Sequence, residues 1–203
     1  MNKKTITFIF IISILLVFLS TKTVSHSPLQ KSISSKLIRF HVIANSNTTY
    51  DQQLKLTIKD TVIDYIEPKL RNVTDINSAR NIISDNIPHI NAIAQNVLKK
   101  HNSSYSVNTF LSTRTFPNKE YGGLQLPAGT YESVIINIGK ASGRNWWCIL
   151  YPSLCFVDPT YSTVPEESKA KLAHVLTSSE YEYIVNSPHT TVKYSTFFSK
   201  LFR

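Results

Sequence analysis

The residues best suited to chemistry stand in one stretch, GRNWWCILYPSLCF, residues 143–156. It holds the chain's two tryptophans, Trp146 and Trp147, and its two cysteines, Cys148 and Cys155. A thiol among aromatic side chains is a candidate nucleophile, and His41 is a candidate base for it. The surrounding residues match no local signature of a cysteine protease, and no Gly-x-Ser-x-Gly turn offers a serine instead. The spacing of the cysteines is not a common zinc spacing, and the six histidines are dispersed, so no metal ligand set is expected. Between residues 105 and 160 the acids are Glu120, Glu132 and Asp158, a thin supply for a two-carboxylate glycosidase. No phosphate loop or dinucleotide fingerprint occurs, so no cofactor is expected. These residues point away from catalysis.

A disulfide between Cys148 and Cys155 explains the cysteines if the chain is exported. Cys148 falls on a predicted strand, Pro152 turns the chain, and Cys155 can return beside it. Closing so short a loop contributes about 2.5 kcal/mol on a chain-entropy argument. The other reading is two buried thiols acting as small hydrophobes. Neighbouring residues on a strand point to opposite faces, so Trp146 and Trp147 are expected on opposite sides of a sheet. Both can be core. An exposed aromatic among Tyr121, Trp146 and Tyr151 would instead anchor a protein partner or stack on a sugar.

Export is written at the N-terminus. Lys3 and Lys4 precede an apolar run from Ile6 to Leu19. As a helix this run is about 21 Å long, short for a hydrocarbon core of about 30 Å. It suits the hydrophobic region of a signal peptide, or a retained signal anchor, over residues 1–25. Retention would tie the protein to the membrane. Net charge is +9, of which +6 remain once Lys3, Lys4 and Lys22 are set aside. The remaining basic residues are scattered and form no nucleic-acid motif, so no nucleic-acid partner is expected. With 42% hydrophobic and 17% charged residues the chain can bury a core, which excludes global disorder.

The elements that must hold these residues follow from periodicity. Residues 26–35 are polar and read as a linker. In KLIRFHVIA, Ile38, Phe40 and Val42 face one way and Arg39 and His41 the other, a strand with one core face. Leu54, Ile58, Val62 and Tyr65 make an amphipathic helix from Asp51 to Glu67, ended by Pro68. Ile76, Ala79, Ile83, Ile87, Ile90, Ala94 and Val97 make a second helical region, about 75–100, where Pro88 predicts a kink or two short helices. YSVNTFLSTRTF reads as a strand, PNKEYGGLQLPAG as a long loop with its own turns, and TYESVIINIG and NWWCILY as strands. PEESKAKLAHVL opens a helix with Pro165 and two acids. TVKYSTFFSKLF is amphipathic and undecided. Helices in one block and strands in another predict an α+β fold: an antiparallel or mixed sheet with two or more packed helices, one domain after the export segment.

The ordered set HVIANS (41–46), DQQLK (51–55), YGG, LPAG, IG, NWWC and P-x-x-CF resembles the stage II sporulation protein R family of endospore-forming bacteria. The resemblance runs from about Lys36 to Asp158. It departs from the family pattern at Ser153, where a second proline is usual. It divides the chain into a family-like domain over 36–158 and a C-terminal extension with a helix over 159–203. It implies an exported signal, acting in the space between forespore and mother cell. There it triggers a membrane-embedded aspartic protease that processes the pro-sigma-E precursor. It implies no catalytic residues. The rival expectation is an exported cell-wall-binding module or cell-wall enzyme using the aromatic and cysteine strand.

Overall fold

The computed structural model describes residues 27–155 and 164–186, with Asn2 and Thr5 besides. The Ile6–Leu19 run, the second cysteine's sequel up to residue 163, and the TVKYSTFFSKLF tail lie outside the described residues.

The first three helices start where a side chain can satisfy free N–H groups. Ser27 and Gln30 cap one another to open α1 (Pro28–Ser35). Thr48 accepts from Asp51 N to open α2 (Thr49–Leu70), and Asp75 accepts from Ser78 N to open α3 (Ile76–Lys100). The stretch read as a linker is therefore helical, because Ile33 has a core to enter. The two prolines also act less than expected. Pro68 lies inside the last turn of α2 and Pro88 inside an unbroken α3. Each removes one backbone hydrogen bond, but buried residues on either side (Ile66 and Leu70; Ile83 and Ile90) hold the helix through the defect.

The strands are β1 (Ile38–Ile43), β2 (Val107–Phe116), β3 (Lys119–Tyr121), β4 (Leu124–Leu126), β5 (Gly129–Ile138) and β6 (Asn145–Tyr151). A four-stranded mixed sheet has the order β2-β5-β1-β6. β1 runs parallel to β5 and antiparallel to β6. The expected long loop is a β3–β4 hairpin instead, closed over Gly122 and Gly123, both at positive φ. Two short helices, α4 (Glu166–Val175) and α5 (Ser178–Asn186), complete the α+β fold that the block order of elements predicts.

Both faces of the sheet are covered. On one, Phe40, Val42, Ile136 and Leu150 pack with Leu54, Ile58 and Val62 of α2 and Ile83 and Ile90 of α3. On the other, Phe116, Tyr131 and Ile149 pack with Ile33, Leu37, the hairpin's Leu124 and Leu126, and Leu172 and Ile184 of the last two helices. Arg39, expected on an outward face, is consequently fully buried. The sequence pattern counts apolar residues, and this second layer accepts a guanidinium among aromatic rings.

Candidate functional site

β6 is an outer strand of the sheet, and its start is held by a corner of two loops. Asn45 Oδ1 accepts from Lys140 N (3.0 Å), and the Asn45 carbonyl accepts from Ser142 Oγ (2.7 Å). Gly143 N donates to the Ala44 carbonyl (2.9 Å), and Arg144 N to Asn47 Oδ1 (2.8 Å). The side chains of Gln52 and Lys55 close the corner on the Ser46 and Arg144 carbonyls. Asp51 is buried beneath it and accepts from Asn45 Nδ2 and Ser46 Oγ. Burial alone would raise its pKa; these bonds, with Tyr105 and Thr48, outweigh burial and lower it. Two glycines are required here. A Cβ on Gly143 would overlap the Ser46 carbonyl, and Gly139 combines a φ of +55° with contact to the Asn45 side chain. The motif residues Asn45, Ser46, Asp51, Gln52, Lys55 and Gly139 thus converge on one structural lock.

From this corner β6 carries its two indoles to opposite faces. Trp146 meets Phe40 edge-on at 6.0 Å, and the Lys59 ammonium stands 4.9 Å over its ring. Trp147 meets Phe116 at 6.1 Å and His41 at 5.6 Å, and the Lys119 ammonium stands 4.4 Å over its ring. Both are half-buried. Each tryptophan is therefore anchored by an aromatic partner and capped by a lysine.

Below Trp147 lies Arg39. Its Nε donates to the Cys148 carbonyl (3.0 Å) and its Nη2 to Tyr121 Oη (2.8 Å). Tyr121 Oη donates onward to the Trp147 carbonyl (3.0 Å). The guanidinium stands 4.4 Å over Phe116 and 5.1 Å over Tyr131. Among the described residues no carboxylate pairs with it, and Nη1 has no hydrogen-bond partner. Burial lowers its pKa against the pull of Tyr121 and Tyr131. Rings replace water around this cation, and the Arg39–Tyr121–Trp147 chain ties the hairpin to β6.

Between β3 and β6 opens a cleft of 210 Å³ lined by Lys119, Glu120, Tyr121 and Asn145–Cys148. Tyr121 and Trp146, singled out from residue type, share it. Tyr151 does not: it is 1% exposed and inside the core, so it is no surface anchor. β6 ends at a register shift opposite Ile38 and Arg39, and the second layer closes over it. Cys148 and Cys155 are disulfide-bonded, Cα to Cα 5.1 Å. His41 and Cys148 do not come together, because Phe40, not His41, pairs with Cys148 across the strands. His41 Nε2 meets Asn145 Oδ1 at 2.9 Å; burial first, then the cations Arg114 and Arg39, lower its pKa. Among the described residues no group of three His, Cys, Asp or Glu could hold a metal ion. Lys119, Lys59 and Arg39 were missed in the sequence, because a lysine or arginine gives no local sign that an indole or ring cage lies across the fold. Tyr50, 48% exposed with Oη on the His101 carbonyl, was missed as well.

The fold and the cleft define an α+β domain with a lysine-capped aromatic edge. The chain belongs to the stage II sporulation protein R family, whose description, Stage II sporulation protein R (spore_II_R), matches residues 34–161. It is 38% identical over 141 residues to Stage II sporulation protein R of Bacillus subtilis (strain 168), covering 70% of this chain. The chain spans 63% of that relative's length. No solved structure matches. The family is one of sporulation proteins, and the matched segment contains the corner, the cleft and the disulfide.

Proposed function

We propose that the chain is an exported signal of endospore formation that activates a membrane-embedded aspartic protease, which then processes the pro-sigma-E precursor. Its place of action is the space between forespore and mother cell, reached through the export segment of residues 1–25. The observation that carries this reading is family membership in a chain whose candidate nucleophile is spent: Cys148 is bonded to Cys155, and His41 is paired with Asn145. A signal needs only a surface that binds the active protease better than the inactive one. A tenfold shift in that balance takes about 1.4 kcal/mol of differential binding.

The paired tryptophans favour a second reading, a wall-binding module that stacks sugars. Against it, a lysine already stands over each indole, so a sugar ring would have to displace it. The test is precursor processing in sporulating cells. Cells lacking the chain are expected to accumulate unprocessed precursor, and normal cleavage in its absence defeats the signalling reading. A Cys148→Ala, Cys155→Ala variant that folds is expected to retain processing, where a thiol enzyme would lose it by orders of magnitude.

A further inference from the structure

The order β2-β5-β1-β6 leaves the sheet two edges, β2 and β6. The β6 edge is partly taken: the Trp147 carbonyl accepts from Tyr121 Oη (3.0 Å) and the Ile149 carbonyl from Leu154 N (3.1 Å). The β2 edge is different. One step before Val107 in the ladder, Gly139 N donates to the Ser106 carbonyl (2.8 Å). Residues of an antiparallel pair alternate between turning both backbone groups to the neighbour and turning both away. Ser106 faces β5, so the even-numbered residues of β2 turn theirs to β5 and the odd-numbered residues turn theirs outward. Val107 and Thr109 are buried, but residues 112–115 are all exposed. In this open stretch the outward backbone groups of Leu111, Thr113 and Thr115 have no partner among the described residues.

An edge is commonly shielded by a bulge, a proline or several charges. β2 has none of these. Its ladder to β5 runs through ten pairs without a register shift, it contains no proline, and Arg114 is its one charged residue. Such an edge is a template for another strand. A second copy of β2 fits it. Antiparallel pairing about a two-fold axis at Thr113 sets Thr113 opposite itself, Leu111 opposite Thr115 and Arg114 opposite Ser112. Each outward residue then meets an outward residue, which closes about six backbone hydrogen bonds. Threonines pair well across strands, and the arginine does not face its own copy. With the β6 edge obstructed, β2 cannot add to β6 of a further copy. The contact is therefore isologous and closes at two chains instead of growing into a fibre.

We propose that the open stretch of β2 is a dimerisation edge, through which two copies of the chain pair antiparallel over residues 111–115 and join their sheets. The contact is smaller than the about 1,200 Å² of a stable complex, so the dimer is reversible and depends on concentration.

The full-length chain is followed by sedimentation equilibrium in density-matched detergent and by amide hydrogen exchange. A monomer–dimer equilibrium is expected. The amides of Leu111, Thr113 and Thr115 are expected to slow as concentration rises, while those of Ser112 and Arg114, already in the ladder, stay unchanged. Thr113→Pro removes an N–H that the β5 ladder does not use. It is expected to keep the thermal midpoint and to weaken association about tenfold or more. Thr113→Lys leaves the backbone untouched, so it keeps the test if the proline unfolds the chain. It opposes two ammonium groups at the axis and is expected to weaken association about threefold. Mixing it with Thr113→Glu is expected to restore association, as only a contact of residue 113 with itself allows. A chain still monomeric at about 1 mM overturns the proposal. So does a dimer that survives both Thr113→Pro and Thr113→Lys, which would be held elsewhere. A chain that dimerises only once residues 187–203 are removed overturns it as well, because its own tail would then be the occupant of the edge.

Discussion

At the residue scale, the buried guanidinium separates the value of a group from the value of its partners. Arg39 has two hydrogen bonds and a cage of rings, but no described carboxylate, and its removal leaves no countercharge stranded. Its flexible stem fills the cage as a hydrophobe would. Arg39→Met is therefore expected to change stability by no more than about 1 kcal/mol. Tyr121→Phe keeps the volume but takes the acceptor from Nη2 and the donor from the Trp147 carbonyl. Leaving a buried charged donor unpaired costs about 1–3 kcal/mol. Chemical denaturation of the two variants checks the order, and a Tyr121→Phe variant as stable as Arg39→Met contradicts this account of the chain.

At the element scale, α5 is fastened to α1 by one carboxylate. Glu180 accepts from Lys36 Nζ (2.6 Å), Ser32 Oγ (2.5 Å) and Thr177 N (2.7 Å), and is 2% exposed. Burial alone would raise its pKa; these partners together outweigh burial and bring it down from 4.5 to about 2. A folded-state pKa below the unfolded one means the unfolded chain binds the proton more readily. The contribution is thus present above pH 4.5 and is lost as pH falls toward 2. Glu180→Gln is expected to cost about 1–2 kcal/mol at pH 7, with the two stability curves converging between pH 4.5 and 2. Parallel curves across that window would contradict the assignment. The disulfide acts on a second element, the turn after β6. Replacing both Cys148 and Cys155 by Ala is expected to lower stability by about 2.5 kcal/mol, read as a fall in the thermal midpoint. An unchanged midpoint under oxidising conditions would show that the bridge holds nothing.

At the scale of the whole molecule, the sheet needs two covers, and they come from different parts of the chain. α2 and α3 cover one face from within the matched residues 34–161. The other cover draws on Ile33 before that segment and on Val164, Leu172, Leu176 and Ile184 after it. A chain ending at Asp158, where the resemblance ends, would uncover Ile149, Leu124 and Leu126. Fully burying such side chains contributes about 1.5–3 kcal/mol each. The truncated chain is expected to lose its cooperative thermal transition and to bind a hydrophobic dye. A truncation that melts as sharply as the full chain would show the extension to be dispensable to the fold.

Much was settled by sequence alone, where the physics is local. Phe40 and Val42 alternate with polar neighbours, Leu54, Ile58 and Val62 recur at helical spacing, and each set has one apolar face to bury, so their meeting in one core was legible. Pro165 followed by two acids placed the start of α4, and the ordered motifs identified the family. Tertiary structure decided what depends on residues far apart. The linker became α1 because Ile33 and Ser32 meet the C-terminal helices; α3 ran through Pro88 because packing outweighed one missing hydrogen bond. Arg39 went inward because Phe116, Tyr121 and Tyr131 converge on it from other strands. The aromatic stretch was conspicuous from composition, yet Tyr151 is core and Trp147 lies under Lys119. Residue type tells how much apolar area a side chain can bury; only the second layer over the sheet determines which of these side chains is left at the surface, and beside which charge.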